Sequence, residues 1–292
     1  MKKKAGREAR PTEFMNVLAF SGIVYAVSAL AGFLGALTGL GGGVVVTPAL
    51  TLLLGVDLHY AMGASLVSVI ATSSGAAAAY VKEGFTNIRV GMVLEIATTL
   101  GAVAGARMVA VVPVPALAVV FGAVLLYSAW TSFQKPRAAA PSPPDRLASR
   151  LKLDSAYPGP GGPIHYHVRR VKTGFSLMFG AGILSGLLGI GSGAMKVIAM
   201  DQVMKIPFKV STTTSNFMIG VTAAASAGIY LSRGYIDPGL AMPVMLGVLT
   251  GSLAGAKCLA GARPRALRIL FSAVVGVLAV EMIYNGLSGG VR

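Results

Sequence analysis

Gly39-Leu40-Gly41-Gly42-Gly43, read together with Gly189-Ile190-Gly191-Ser192-Gly193, decides how this chain is built. The two runs stand 150 residues apart (189 minus 39). The same offset pairs Ser65 with Ser215, Thr72 with Thr222, Tyr80 with Tyr230, Gly84 with Gly234, Gly101 with Gly251, Gly105 with Gly255 and Phe121 with Phe271. A register kept over so many unlike residues marks an internal duplication, since shared low complexity would not hold it.

Composition says where the duplicated unit lives. The chain has 292 residues, of which 54% are hydrophobic and 12% charged, with a mean hydropathy of +0.73. That is too little polar surface to coat a soluble globule of this length, so the chain is read as an integral, multi-pass protein of the cell (inner, cytoplasmic) membrane, in contact with membrane lipid. Of its 25 Lys and Arg, 13 lie within residues 2–10 and 135–172, beside apolar spans. The net charge of +15 is therefore assigned to loops that obey the positive-inside bias, and no nucleic-acid partner is expected. The single Cys258 closes no internal disulfide, and three histidines without partner cysteines form no structural metal site. Neither metal nor cofactor is implied. Lys2-Lys3-Lys4 precedes an apolar run, but Val17 to about Leu37 is longer than the ~7–15 residues of a signal-peptide core, which predicts a retained helix.

Hydropathy divides the chain into a first transmembrane repeat (1–134), a polar, Pro-rich, mobile cytoplasmic linker (135–170) and a second transmembrane repeat (171–292). Apolar spans run over 15–38, 44–54, 60–81, 90–111 and 114–133, then over 172–188, 194–204, 210–232, 239–260 and 265–287. The second span of each half cannot cross ~30 Å of hydrocarbon at 1.5 Å per residue. The predicted fold class is all-α: a polytopic transmembrane helical bundle of two homologous repeats with glycine-broken half-helices. Because the N-terminus and the linker are both basic, an even number of crossings per half and parallel repeats are expected. Five crossings and an inverted repeat form the alternative, favoured by Arg263, Arg265 and Arg268.

A helix that starts at a glycine break at membrane depth aims unpaired N–H groups and the positive end of its dipole at the break, which suits an anion. This makes Gly41, Gly42, Gly43, Gly191, Ser192 and Gly193 candidate substrate-binding residues. The GxxxG pairs Gly101/Gly105 and Gly251/Gly255 lie inside long spans and are read as close-packing positions. Lys196, three residues after Gly193 and opposite Val46 at the repeat offset, is an intramembrane cation and so a candidate for holding the anion. Alternatively it neutralises Asp201, Glu95 or Glu281. Ser65, Ser215 and Asn216 could offer hydrogen bonds to an oxyanion. Glu95, Asp201 and Glu281 are the acids inside apolar sequence and the candidate proton carriers. With no Ser-His-Asp set, metal cluster or paired carboxylate, an enzyme is not expected.

The paired glycine motifs, Pro48 after the first of them, and Ser211-Thr-Thr-Thr-Ser-Asn-Phe-Met-Ile-Gly220 resemble the TauE/SafE family of sulfite and sulfonate exporters, over nearly the whole chain outside the N-terminus and linker. The resemblance implies a polytopic helical permease for sulfite, sulfoacetate or another organic anion. Ile198 stands where the repeat would place Pro48, and Lys196 and Asp201 are additions. The expected function is a secondary transporter, by preference an exporter, of a small anionic substrate. An anion channel and a proton-coupled importer of a small organic anion are the alternatives.

Overall fold

The computed structural model describes residues 11–38, 42–82, 84–133, 145–159, 162–259 and 264–290. Its first half contains α1 (Pro11–Thr38), α2 (Gly43–Leu54), α3 (Leu58–Lys82), α4 (Ile88–Met108) and α5 (Val114–Phe133). After a short α6 (Arg146–Arg150) and a hairpin of β1 (Ser155–Gly159) and β2 (Gly162–Tyr166), the second half contains α7 (Val171–Leu188), α8 (Gly193–Ile198), α9 (Phe208–Ser232), α10 (Pro238–Leu259) and α11 (Pro264–Ser288). A π-turn over Ala199–Val203 extends α8. Each expected span is a helix within a few residues, since long apolar runs leave the backbone no other way to satisfy its polar groups in lipid.

Among the described residues four helices are long and apolar enough to cross a membrane: Val17–Gly35, Ile88–Met108, Val171–Leu188 and Pro238–Gly255. The outer surface carries Leu18, Ile23, Leu100, Trp130, Leu177, Leu253, Val280 and Leu287 exposed, an apolar skin that would be a liability in water and suits lipid. The interior holds the hydroxyls instead: Ser65, Ser68, Thr98, Ser211, Thr214, Ser215, Thr222 and Ser226 are buried. Most of these lie on α3 and α9, at the centre of the bundle.

Helix directions follow from the contacts. Gly101 and Gly105 of α4 meet Phe179 and Ile183 of α7 in the same order, so α4 and α7 run parallel. Gly247 and Gly251 of α10 meet Tyr25 and Ala29 of α1 in the same way. By contrast α3 and α9 run antiparallel, Met62 meeting Tyr230 and Ser73 meeting Gly220. α5 and α11 are also antiparallel, with Pro115 against Gly286 and Ala129 against Ser272. At one end of the α3/α9 pair His59 stacks on Tyr235, and at the other Lys209 lies over Phe85.

These directions correct the expected topology. Helices matched by the offset of 150 point in opposite senses, so the two halves are inverted relative to each other. The reason is local. α1 runs away from the His59 end, and α2, which begins with Gly42 beside Gly32, returns towards it, so the pair makes no net crossing before α3. Three traverses remain, and they leave the linker at the opposite end from the start of α1. α11 begins at the linker end, where Ser272 meets Ala129. In a chain with Cys258→Ser, Ser149→Cys and Ser232→Cys are expected to react with an impermeant thiol reagent from opposite sides of the membrane. Labelling of both from one side would restore the parallel arrangement.

The described part of the linker is folded, against the expectation of a mobile segment, and its hairpin is the one departure from an all-helical chain among the described residues. Asn87, which caps α4 through Val90 N, donates from Nδ2 to Leu153 O and to the Tyr166 hydroxyl, and Leu153 and Tyr166 are buried. Burial pushes the Tyr166 phenol up to about 12, so it stays neutral and accepts from Asn87. Asp145 caps α6 and also accepts from Val171 N at the start of α7, and these backbone N–H groups hold its carboxyl below the usual range.

Candidate functional site

The two glycine runs meet between α3 and α9. A side chain begun at Gly43 would lie 2.5 Å from Val69 Cγ2 and 2.8 Å from Ser65 Oγ, and the carbonyl of Ile190 is 3.8 Å away. One begun at Gly191 would lie 2.7 Å from Ile219 Cγ2 and 3.2 Å from Val69 Cγ1. Both breaks thus converge on Val69, near the middle of the bundle. The conformation differs between them. Gly189 and Gly191 have φ of +67° and +70°, and Ser192 follows at +46°, a left-handed stretch that glycine tolerates and other residues resist. Gly42 is right-handed at φ −65° and needs no such freedom. What it lacks is room, since a Cβ would meet Val248 Cγ1 at 2.6 Å. Gly41 lies outside the described residues.

Ser65 Oγ donates to Gly43 O at 3.2 Å and Ser215 Oγ donates to Gly193 O at 3.1 Å. Each hydroxyl proton is committed to the backbone of a break, so these serines hold the breaks in place and present only lone pairs, which do not suit an anion. Asn216 is buried one residue further along α9. Ser192 is different: it is 3% exposed and its Oγ has no hydrogen-bond partner. Thr47 Oγ1, in the first turns of α2, is likewise buried without one. An unsatisfied buried hydroxyl costs about 1–3 kcal/mol unless something comes to fill it.

Lys196, 0% exposed, stands one turn beyond Ser192 and donates from Nζ to Thr222 Oγ1. Thr222 Oγ1 donates in turn to Glu95 Oε1 at 2.6 Å, where Thr99 Oγ1 also donates at 3.1 Å. The second carboxylate oxygen, Glu95 Oε2, has no hydrogen bond and lies 3.8 Å from Nζ. Of the three acids that could neutralise Lys196, the structure brings it to Glu95. The site therefore spans α4, α8 and α9. Asp201 is half-buried on the π-turn, with contacts of its own. Glu281 is exposed on α11, where its carbonyl accepts from Asn285, so the structure does not bring it to the site. Thr222 was legible only as the repeat mate of Thr72; the relay it forms joins residues 127 apart in the chain.

The family model described as "Sulfite exporter TauE/SafE" matches residues 24–282. Among curated proteins, the chain is 26% identical to "Probable membrane transporter protein YunE" of Bacillus subtilis (strain 168), over 91% of this chain and 98% of that protein. It is 25% identical to "Probable membrane transporter protein YdhB" of the same organism, over 80% and 87%. A "Probable membrane transporter protein" of Xylella fastidiosa (strain 9a5c) is 26% identical, over 87% and 89%. No solved structure matches.

Proposed function

The chain belongs to the sulfite exporter TauE/SafE family of membrane transporters, and from that premise we propose that it is a secondary transporter for a small sulfur oxyanion or organosulfonate, such as sulfite or sulfoacetate. One observation carries the reading: a fully buried Lys196 one turn after an unpartnered Ser192 hydroxyl, at a glycine break that abuts its counterpart. A cation and a free donor at the start of a broken helix are what an oxyanion requires.

In this reading α2 and α8 are half-helices of two homologous, inverted repeats, 1–134 and 171–292. Support comes from bonds that recur at the same offset: Ser65 to Gly43 and Ser215 to Gly193, and the α4 and α10 caps made by Asn87 on Val90 N and Asp237 on Leu240 N. Inverted repeats around a central site suit alternating access. The linker end, which gathers Arg146, Arg150, Lys152, Lys172, Lys205 and Lys209, faces the cytoplasm. Were the anion to cross alone, it would gain ~2.3 kcal/mol per charge per 100 mV on leaving a negative interior, and the voltage would favour export.

The test is purified protein in liposomes with a panel of sulfite, sulfate, sulfonates and carboxylates. Saturable uptake of a sulfur oxyanion or sulfonate is expected. Large currents without saturation would make the protein a channel, and uptake of carboxylates alone would remove the sulfur assignment.

A further inference from the structure

Resting on the transport reading, we propose that Glu95 is the binding site of a coupling proton, and that Glu95 and the transported anion take turns as the counter-charge of Lys196.

Three observations lead there. The first is how loosely the pair is joined. Glu95 Oε2 stands 3.8 Å from Nζ without a hydrogen bond, and the link runs through Thr222. The two charges share no direct hydrogen bond, so an anion can come between Nζ and Oε2 while Oε1 keeps its bonds from Thr222 and Thr99, whereas in a bidentate salt bridge it would have to break two short bonds between the charges. The second is its asymmetry. At the offset of 150, Val46 and Met245 replace Lys196 and Glu95, while Thr72 matches Thr222. The same places in the other half are built from apolar residues, so packing at these positions does not call for a buried ion pair. The third is the charge count. With Lys196 and Glu95 both ionised the buried pair is neutral, and a bound monoanion leaves the site one negative charge in excess. A proton on Glu95 restores neutrality.

The other charged groups on the surrounding elements are engaged elsewhere or lie at the ends. Lys172 opens α7 on the exposed surface, Lys209 covers Phe85, and Arg89 donates to Lys152 O. Arg233 donates to the carbonyls of Ala106 and Arg107 at the far end, Asp201 has contacts of its own on the π-turn, and the Tyr230 hydroxyl donates to Gly186 O. The ion pair that Lys196 makes among the described residues is with Glu95.

One anion and one proton then bind from the same side and leave together on the other, and Glu95 re-pairs with Lys196 in the empty carrier. A monoanion moves without net charge, so the proton and anion gradients set the direction and the membrane voltage does not.

Wild-type protein in liposomes with a pH-sensitive dye in the lumen tests this, using methanesulfonate, whose charge does not titrate near neutrality, together with the panel above. We expect the lumen to acidify as the anion enters, about one proton per anion, with no response to an imposed potassium-diffusion potential. Raising the pH should raise the apparent KM by up to about tenfold per pH unit, as binding linkage requires. Glu95→Gln, which copies the protonated acid, should carry the anion without protons, at a rate that is flat with pH and sensitive to voltage. Wild-type uptake that moves no protons and follows the voltage overturns the coupling while leaving the transport reading intact, as does proton movement that persists in Glu95→Gln. If that variant does not fold, the wild-type dye and voltage records decide alone. If no anion of the panel moves, the transport reading falls and this proposal with it.

Discussion

Lys196→Met is expected to remove about 3–5 kcal/mol from the stability of the folded bundle, the usual cost of leaving one member of a buried ion pair alone. Lys196 is 0% exposed, and its loss strands Glu95, which is 8% exposed, in the interior of the bundle. Thermal unfolding in detergent, followed through Trp130, reads the effect. Joining Glu95→Gln to Lys196→Met removes both charges and should recover most of the loss, while transport stays absent because no cation remains to hold the anion. Joining Asp201→Asn instead should recover little, because the ion pair in the structure is with Glu95. Rescue by Asp201→Asn without rescue by Glu95→Gln would mean that a different pair carries the energy.

Gly186→Leu should prevent the bundle from assembling, at a cost beyond the roughly 1–3 kcal/mol of ordinary overpacking. A Cβ at Gly186 runs into the carbonyl of Ala102, just as one at Gly105 runs into the carbonyl of Ile183. Because these are backbone atoms of interlocked helices, no rotamer change relieves the clash and α4 must separate from α7. The control lies on the same helix: Gly180 has nothing within 4 Å of its Cβ position, so Gly180→Leu should stay within about 0.5 kcal/mol of wild type. The yield of monodisperse protein after solubilisation separates the two. Equal yields would show that the α4/α7 contact has more give than its geometry implies. The breaks fall between these extremes. Gly42 meets a movable Val248 methyl, so Gly42→Ala should be milder than Gly191→Ala, which must also hold a positive φ.

The sequence by itself determined the membrane class, the helices and the short spans, because these follow from the length and polarity of contiguous segments. It also singled out Lys196, since a cation inside apolar sequence is conspicuous without any contact being known. Three things required the tertiary structure. The hairpin after α6 is held by Asn87, 66 residues from Leu153 and 79 from Tyr166, and Pro-rich composition says nothing of partners so distant. The relative direction of the halves turned on whether α2 continues α1 or returns beside it, and hydropathy is blind to that sign. The partner of Lys196 was chosen among three acids by the packing of α4 against α9 across 127 residues of chain. A buried charge announces itself in sequence through the cost of its solvation, but its counter-charge is set by which helices pack together, and that depends on side-chain volumes and close glycine approaches from the whole bundle at once.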